Sequence, residues 1–599
     1  MCGIIGYVGA ERADLSTALL AALARLEYRG YDSAGLALLD RDGKLELVKA
    51  VGGIAALVRK AEGLRGPAVS GLAHTRWATH GAATEANAHP HVTPDGRLAL
   101  VLNGIVENDA ALRKELAVRG VTLKTANDAE TLLRWIEAHD PQADLEKALK
   151  QALSGVIGNF AVVVAHAAHP AALGVARRGS PLAVARTEGG YFVVSDAAAV
   201  AGVADHICHL REGAVLVLTP APRVDLVFTP IAAGLAPPTM EGFESFTLKE
   251  IHEQPQTLAR ALDSSLARSL PERGLALDKI RALDRVILVG CGSAYFAACA
   301  AKLLIERHAR LPADAAIASE LRLGDPLLGA RTLVVAVSQS GETADTLACL
   351  KIAQAAGSPT IAFCNVEAST MAREAHAMWP LSCGTEIGVA STKAYTAMLL
   401  QLSFLAFELG TLRGCVPLAI GAELALAARE LPGHVAKTLL QFSKIERLAH
   451  AWKDRQSFLF IGRHLFHQSA CEGALKLREL AYVNAEGYAA GELKHGSIAL
   501  IDAGHPVIAV APRGPTAAKM SSSIHEVKAR GARVLGIITE GDTDTAALCD
   551  EVVEIPATME ALTPILAAIP LQILSFSFAK ALGRPIDRPR NLAKSVTVE

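Results

Sequence analysis

The 599-residue chain lacks an excess of either charge: Lys and Arg number 59 against 61 for Asp and Glu, a net charge of −2. Without a basic stripe it has no electrostatic footprint of a nucleic-acid binder. Aromatics at 5% leave few platforms on which single-stranded bases could stack. Ten cysteines are scattered without a CxxC pair, which excludes a tight disulfide or zinc framework and fits a reducing cytosol. MCGIIGYVGAERAD has no basic n-region, so no secretory signal is predicted and the expected location is cytoplasmic. The longest uncharged run, 561–579, nears the ~20 residues of a membrane span. Pro564, Pro570, Gln572, Ser575 and Ser577 interrupt it, so it predicts a buried helix of a large α/β core and no membrane partner.

What is present is ordinary globular composition, 51% hydrophobic and 20% charged. At about 150 residues per domain the length suggests three or four domains. Residues 1–240 read as strands with a few helices, among them CGIIGYVG, LALVLNGIV, FAVVVAHAA and YFVVS. GLAPPTMEGFES (234–245) is rich in turn residues and reads as the start of a linker, expected over 241–275. Beyond it, helical patterns alternate with short Val- and Ile-rich runs, the signature of parallel α/β units. This part repeats: RVILVGCGSA (285–294) answers to SFLFIGRHLF (457–466), LVVAVSQSGET (333–343) to VIAVAPRGPT (507–516), and PTIAFCNV (359–366) to RVLGIIT (533–539). The strand-ending Gly290 and Gly462 stand 172 positions apart. Two copies of one doubly wound domain are expected, at 276–420 and 445–588, with a tail at 589–599. Hydroxyls follow the strands of the first copy alone, which predicts one working site per pair.

Several motifs carry chemistry, each beside a plainer reading. Removal of Met1 would leave Cys2 with a free α-amine whose reference pKa, about 7.7–8.0, suits it to take the thiol proton. The alternative is a chance cysteine at a frayed end. HTRWATHG (74–81) and NAHPHV (87–92) cluster histidines, but no Cys or carboxylate stands at ligand spacing and no metal is expected. Asn103-Gly104 is either a tight turn or an amide beside a backbone N–H, as an oxyanion hole requires. Asp128 is either a helix N-cap or a functional carboxylate. SQSGET (338–343) follows a buried strand and should open a helix, so Ser338, Ser340 and Thr343 either cap it or cradle a phosphate. No GK[ST] follows, and Tyr295 stands where GCGSAY would need a third glycine, so neither a nucleotide-hydrolysing loop nor a dinucleotide cofactor is expected. Lys476 and Glu479 share a helix face, the usual arrangement of a surface ion pair.

Cys2-Gly3-Ile4, RLEYRGYDSAG (25–35), HTRWATHG, AHPHV, NGIVEN and NDAE together resemble, in order, the N-terminal-nucleophile glutamine amidotransferase domain. The second part resembles the paired sugar-isomerase (SIS) domains of the glutamine–fructose-6-phosphate aminotransferase family, and the likeness extends over essentially the whole chain. The fold this implies is α/β: an α+β amidotransferase sandwich followed by two doubly wound SIS domains.

The resemblance implies further roles. Cys2 would attack glutamine, with Asn103 and Gly104 holding the oxyanion. Arg76 would pair with the α-carboxylate of glutamine and Asp128 with its α-ammonium, while Trp77, Thr79 and His80 complete the substrate site and Trp77 lines the route of ammonia. Gly292, Ser293, Ser338, Gln339, Ser340, Thr343, Val389 and Ser391 would contact fructose 6-phosphate. Glu479 would move the proton between sugar C1 and C2, assisted by Lys476. His495 would open the sugar ring in the neighbouring subunit of a homodimer, and Lys594 would form a Schiff base as the tail closes over the site. No cofactor is implied, and the product would be glucosamine 6-phosphate, the entry to amino-sugar (UDP-GlcNAc) synthesis. Ala129, Ala294 and Ser497 depart from the usual Thr, Ser and Pro. A glutaminase-coupled isomerase or deglycase acting on another sugar phosphate would use the same parts. A sugar-phosphate sensor would not need Cys2, Glu479, His495 and Lys594 together.

Overall fold

A computed structural model describes residues 2–64, 66–77, 81–140, 144–231 and 239–597. The chain forms two compact units, residues 1–239 together with 593–599, and residues 240–592.

In the first unit, strict alternation along the strands builds a four-layer sandwich. Ile5 and Tyr7 of strand Gly3–Arg12 pack with helices Leu15–Ala24 and Ile54–Ala61, whereas Ile4 and Val8 face a second sheet. Strand Leu98–Gly104 mirrors this: Leu98, Leu100 and Leu102 face the helices of its own side, and Ala99 and Val101 face the first sheet. The two sheets have eight and five strands and are antiparallel throughout. Strand Gly3–Arg12 is central, flanked by Ala68–Arg76 and Gly190–Val194, with Gly3 opposite Thr75 and Ile5 opposite Val194. From Gly3 onward the chain is therefore held in a sheet rather than frayed.

The second unit contains two five-stranded, wholly parallel sheets. Numbering the strands of each sheet by sequence, both have the spatial order 2-1-3-4-5 of a doubly wound fold. Strand 1 is Arg285–Gly290 in one and Ser457–Gly462 in the other, strand 3 is Thr332–Ser338 or Pro506–Val510, and strand 4 is Thr360–Cys364 or Arg533–Thr539. The internal repeat is thus a repeat of fold. Even the turn after strand 1 is copied: Gly292 has φ +56°, and His464, 172 positions on, has φ +55°. A side chain there is strained, which makes glycine the natural occupant of the first copy. One apolar interior runs through both copies, filled by helices Ser293–His308, Lys393–Leu412, Leu465–Ala481 and Thr563–Ala581. Among the described residues two helices are long and apolar enough to cross a membrane, and both lie mainly or wholly inside the protein. One of them contains most of the uncharged run from Ala561.

The expected linker over 241–275 is shorter than that span. Ser245 accepts a hydrogen bond from Leu248 N–H (3.2 Å) and caps helix Phe246–His252, and helix Gln254–Ala267 follows at once. Ile251, Leu258, Ala261 and Leu262 belong to the second unit's core. Ser245, the last of the turn residues, marks a helix start.

Candidate functional sites on the two units

In the first unit the strand register sets Cys2 next to the end of the neighbouring strand. The Trp77 N–H donates to Cys2 Sγ at 3.2 Å. Burial pushes the thiol pKa up, and the Trp77 N–H and the Arg76 guanidinium work against that rise. Asn103 donates through Nδ2 to the Cys2 carbonyl oxygen at 3.0 Å. Asn103 and Gly104 are not a tight turn: they end a strand, paired with Ala161 and Phe160. Gly104 has φ +112°, and a Cβ there would lie 2.0 Å from the Asn159 carbonyl oxygen, so only glycine fits.

Arg76 donates to the carbonyl oxygens of Gly81 (3.0 Å) and Ala82 (3.2 Å). Asn127, not Asp128, caps helix Asp128–Ala138, accepting from Ala129 N–H at 2.8 Å. Asp128 is thereby released from capping, and its buried carboxylate accepts from Val106 N–H at 2.9 Å. Ala129, the departure from the usual Thr, is fully buried among leucines of the helix-side core. Trp77 meets Tyr31 edge-on, ring centroids 5.5 Å apart. Thr79 and His80 lie outside the described residues.

In the second unit the switch point of the first sheet falls between strands 1 and 3, where a doubly wound fold binds its ligand. Ser338 ends strand 3; its Oγ accepts from Gly341 N–H and lies 3.0 Å from Thr343 Oγ1. Ser340 Oγ accepts from Glu342 N–H at 3.2 Å, and Gln339 supplies its carbonyl oxygen to Asn365 N–H. Thr343 precedes helix Ala344–Ala355 without capping it, and helix Ser293–His308, behind Gly292, has no side-chain cap either. Both helix starts keep N–H groups for an anion. Ser293 Oγ donates to Glu472 Oε1 at 2.9 Å. Ala294 is buried beside it. Val389 N–H donates to the Asp587 carbonyl oxygen at 3.1 Å, and Ser391 Oγ is buried with no partner among the described residues.

Helix Leu465–Ala481 aligns three ionisable groups on one face. Lys476 Nζ is 2.5 Å from Glu479 Oε2 and 3.6 Å from Glu472 Oε1. Lys476 is almost wholly buried, so this is no surface pair. Burial opposes its charge, but the two carboxylates outweigh burial and hold its pKa above the ordinary value. Burial likewise pushes Glu472 up, to about 7, with Lys476 restraining the rise. Sequence reading passed over Glu472, although it opens the EGALKLRE motif, because its distinguishing property is burial. His495 is exposed at the end of the short turn Glu492–His495, ahead of Ser497. Lys594 lies in the part of the tail that belongs to the first compact unit, not in the unit that carries Ser338, Lys476 and Glu479.

The glutamine amidotransferase domain family matches residues 74–201, and the SIS domain family matches twice, at 279–407 and 453–581. Over the full length of both chains, this one is 43% identical to the isomerising glutamine–fructose-6-phosphate aminotransferases of Thermus thermophilus and Streptomyces coelicolor. The chain belongs to the glutamine–fructose-6-phosphate aminotransferase family. The solved C-terminal domain of the Francisella tularensis member superposes with a TM-score of 0.56 at 33% identity, covering 59% of this chain and all of that one. Within the family frame, the Cys2 cluster occupies the amidotransferase half and the Ser338–Lys476–Glu479 cluster the SIS half.

Proposed function

We propose that the chain transfers the amide nitrogen of L-glutamine to fructose 6-phosphate and isomerises the product to glucosamine 6-phosphate, opening amino-sugar synthesis in the cytoplasm. The observation that carries this reading is Cys2, whose carbonyl oxygen accepts from the Asn103 amide in one unit, joined in one chain to the buried Lys476 paired with Glu479 in the other.

In the first unit Cys2 gives its proton to the α-amine freed by loss of Met1 and attacks the side-chain carbonyl carbon of glutamine. Asn103 Nδ2–H and Gly104 N–H hold the oxyanion. Collapse returns the proton to the departing nitrogen, releases ammonia and leaves a thioester, which water hydrolyses to glutamate. Arg76 holds the α-carboxylate and Asp128 the α-ammonium, Thr79 and His80 complete the pocket, and Trp77 lines the exit of ammonia.

In the second unit Ser338, Gln339, Ser340, Thr343 and the turn at Gly292–Ser293 receive the phosphate, and Val389 and Ser391 meet the sugar. The exposed His495 opens the ring in the site of a second copy, which makes the working form a homodimer. The amine of Lys594 condenses with the C2 ketone and expels water, and ammonia then displaces the lysine. Glu479 takes a proton from C1 and returns it at C2, turning the ketose imine into an aldose amine, while the Lys476 ammonium serves a sugar hydroxyl. This chemistry calls for no metal or organic cofactor. Glutamine labelled with ¹⁵N at its amide tests the reading. Label in glucosamine 6-phosphate is expected, and label found in free ammonia alone would refute it.

A further inference from the structure

Three histidines from HTRWATHG and AHPHV lie buried behind Asn103, and the chemistry above uses none of them. Alternation along strand Ala68–Arg76 sends Leu72 and His74 to the layer between the two sheets, where strand Leu98–Gly104 passes. There His74 Nε2 lies 3.0 Å from the Leu102 carbonyl oxygen and 3.1 Å from Asn103 Oδ1. Both partners are acceptors, so the ring hydrogen is on Nε2 and faces both. His89 stacks on His74 with centroids 4.2 Å apart, and its Nδ1 accepts from Leu102 N–H at 3.2 Å. The two imidazoles therefore grip the two polar groups of Leu102, the residue just before Asn103. His91 packs edge-on against His89 at 5.0 Å. Burial pushes His74 down to about 3, so the ring is neutral throughout the working pH range.

We infer that His74 is a positioning residue for the glutamine half-reaction: its Nε2–H holds the carboxamide oxygen of Asn103, so that the NH2 edge is the one turned toward Cys2. A carboxamide has nearly the same shape either way round. Rotated by half a turn, Asn103 would present an oxygen lone pair to a forming oxyanion. The Cys2 carbonyl, accepting from Nδ2, selects the same orientation from the other side. This inference rests on the reading of Asn103 as an oxyanion donor.

The test compares His74→Leu, His74→Gln, Asn103→Ala and the His74→Leu/Asn103→Ala double variant in the full-length protein. Loss of one oxyanion donor lowers kcat by roughly 10²–10³-fold. His74→Leu is expected to lower kcat for glutamine hydrolysis by about 10²-fold with little change in KM. His74→Gln, whose amide N–H reaches the place of Nε2–H, should restore most of the loss. In the Asn103→Ala background, His74→Leu should lower kcat no further. Alkylation of the Cys2 peptide by iodoacetamide, a displacement at saturated carbon that forms no oxyanion, should keep the same rate in all variants and shows that the unit is folded. The inference is overturned if His74→Leu leaves kcat unchanged, if its effect adds fully to that of Asn103→Ala, or if iodoacetamide slows in parallel. If Asn103→Ala itself leaves kcat intact, the oxyanion reading falls and the inference with it.

Discussion

Replacing Glu472 by Gln tests the electrostatics of the sugar unit directly. Glu472 is 2% exposed and its carboxyl is raised from an ordinary value near 4.5 to about 7, chiefly by burial. A raised carboxyl means that the folded state holds a proton the unfolded chain has already lost. Between about pH 4.5 and 7, then, stability falls as pH rises, and above pH 7 the loss is complete. At 1.36 kcal/mol per pH unit the loss amounts to about 3 kcal/mol. Glu472→Gln keeps the acceptor for Ser293 Oγ and leaves Lys476 its 2.5 Å partner Glu479, but removes the titrating group. The variant should therefore match the wild type near pH 4.5 and exceed it by about 2–3 kcal/mol at pH 8. Urea unfolding of the full-length protein, read by pulse proteolysis of peptides from the second unit, measures both at each pH. Other titrating groups are common to the two proteins and cancel. Equal displacement of both midpoints between pH 5 and 8 would refute the argument from burial.

Three further outcomes follow from the same geometry. Cys2→Ala should abolish glutamine hydrolysis while leaving proton exchange on fructose 6-phosphate measurable, because Cys2 and Glu479 belong to different units; glutamate release at the wild-type rate would remove Cys2 from its role. Glu479→Gln should slow exchange of deuterium at sugar C1 and C2 by about 10²–10⁴-fold with far less effect on phosphosugar binding, and undiminished exchange would move the base elsewhere, His495 being next in line. Borohydride with fructose 6-phosphate should trap the sugar on the peptide containing Lys594, and Lys594→Arg should lose both trapping and synthesis. Trapping on Lys476 with an active Lys594→Arg protein would reassign the Schiff base.

The repeat was legible because buried parallel strands are short continuous apolar runs ending in glycine, and that pattern survives where side chains diverge. The Cys2 region was legible because a strand pattern and a reactive residue coincide at one end of the chain. Asn103-Gly104 was ambiguous for a physical reason: the dipeptide that favours tight turns also ends a strand where φ must be positive, and only the pairing with Ala161 and Phe160 separates the two. Asp128 was ambiguous because Asn127 offers the same capping chemistry one residue earlier, and the structure gives the cap to Asn127. Glu472 and His74 were hidden by a different cause. Their character comes from burial and from partners 179 and 29 residues away, Ser293 and Asn103, which no local pattern encodes.

The single apolar interior of the two SIS copies also bears on how the chain is made. Helix Ser293–His308 packs against helix Lys393–Leu412 of its own copy and also against helix Leu465–Ala481 of the second. During synthesis it emerges about 170 residues ahead of the end of helix Leu465–Ala481, a delay of roughly 10–30 s at about 5–20 residues per second. Throughout that interval the first copy has its own sheet and helices but not the helix of the second copy that completes the shared interior. A nascent chain in this state exposes the surface that chaperones recognise. Truncation between the copies would make the state permanent, leaving uncovered the face of helix Ser293–His308 that meets the second copy.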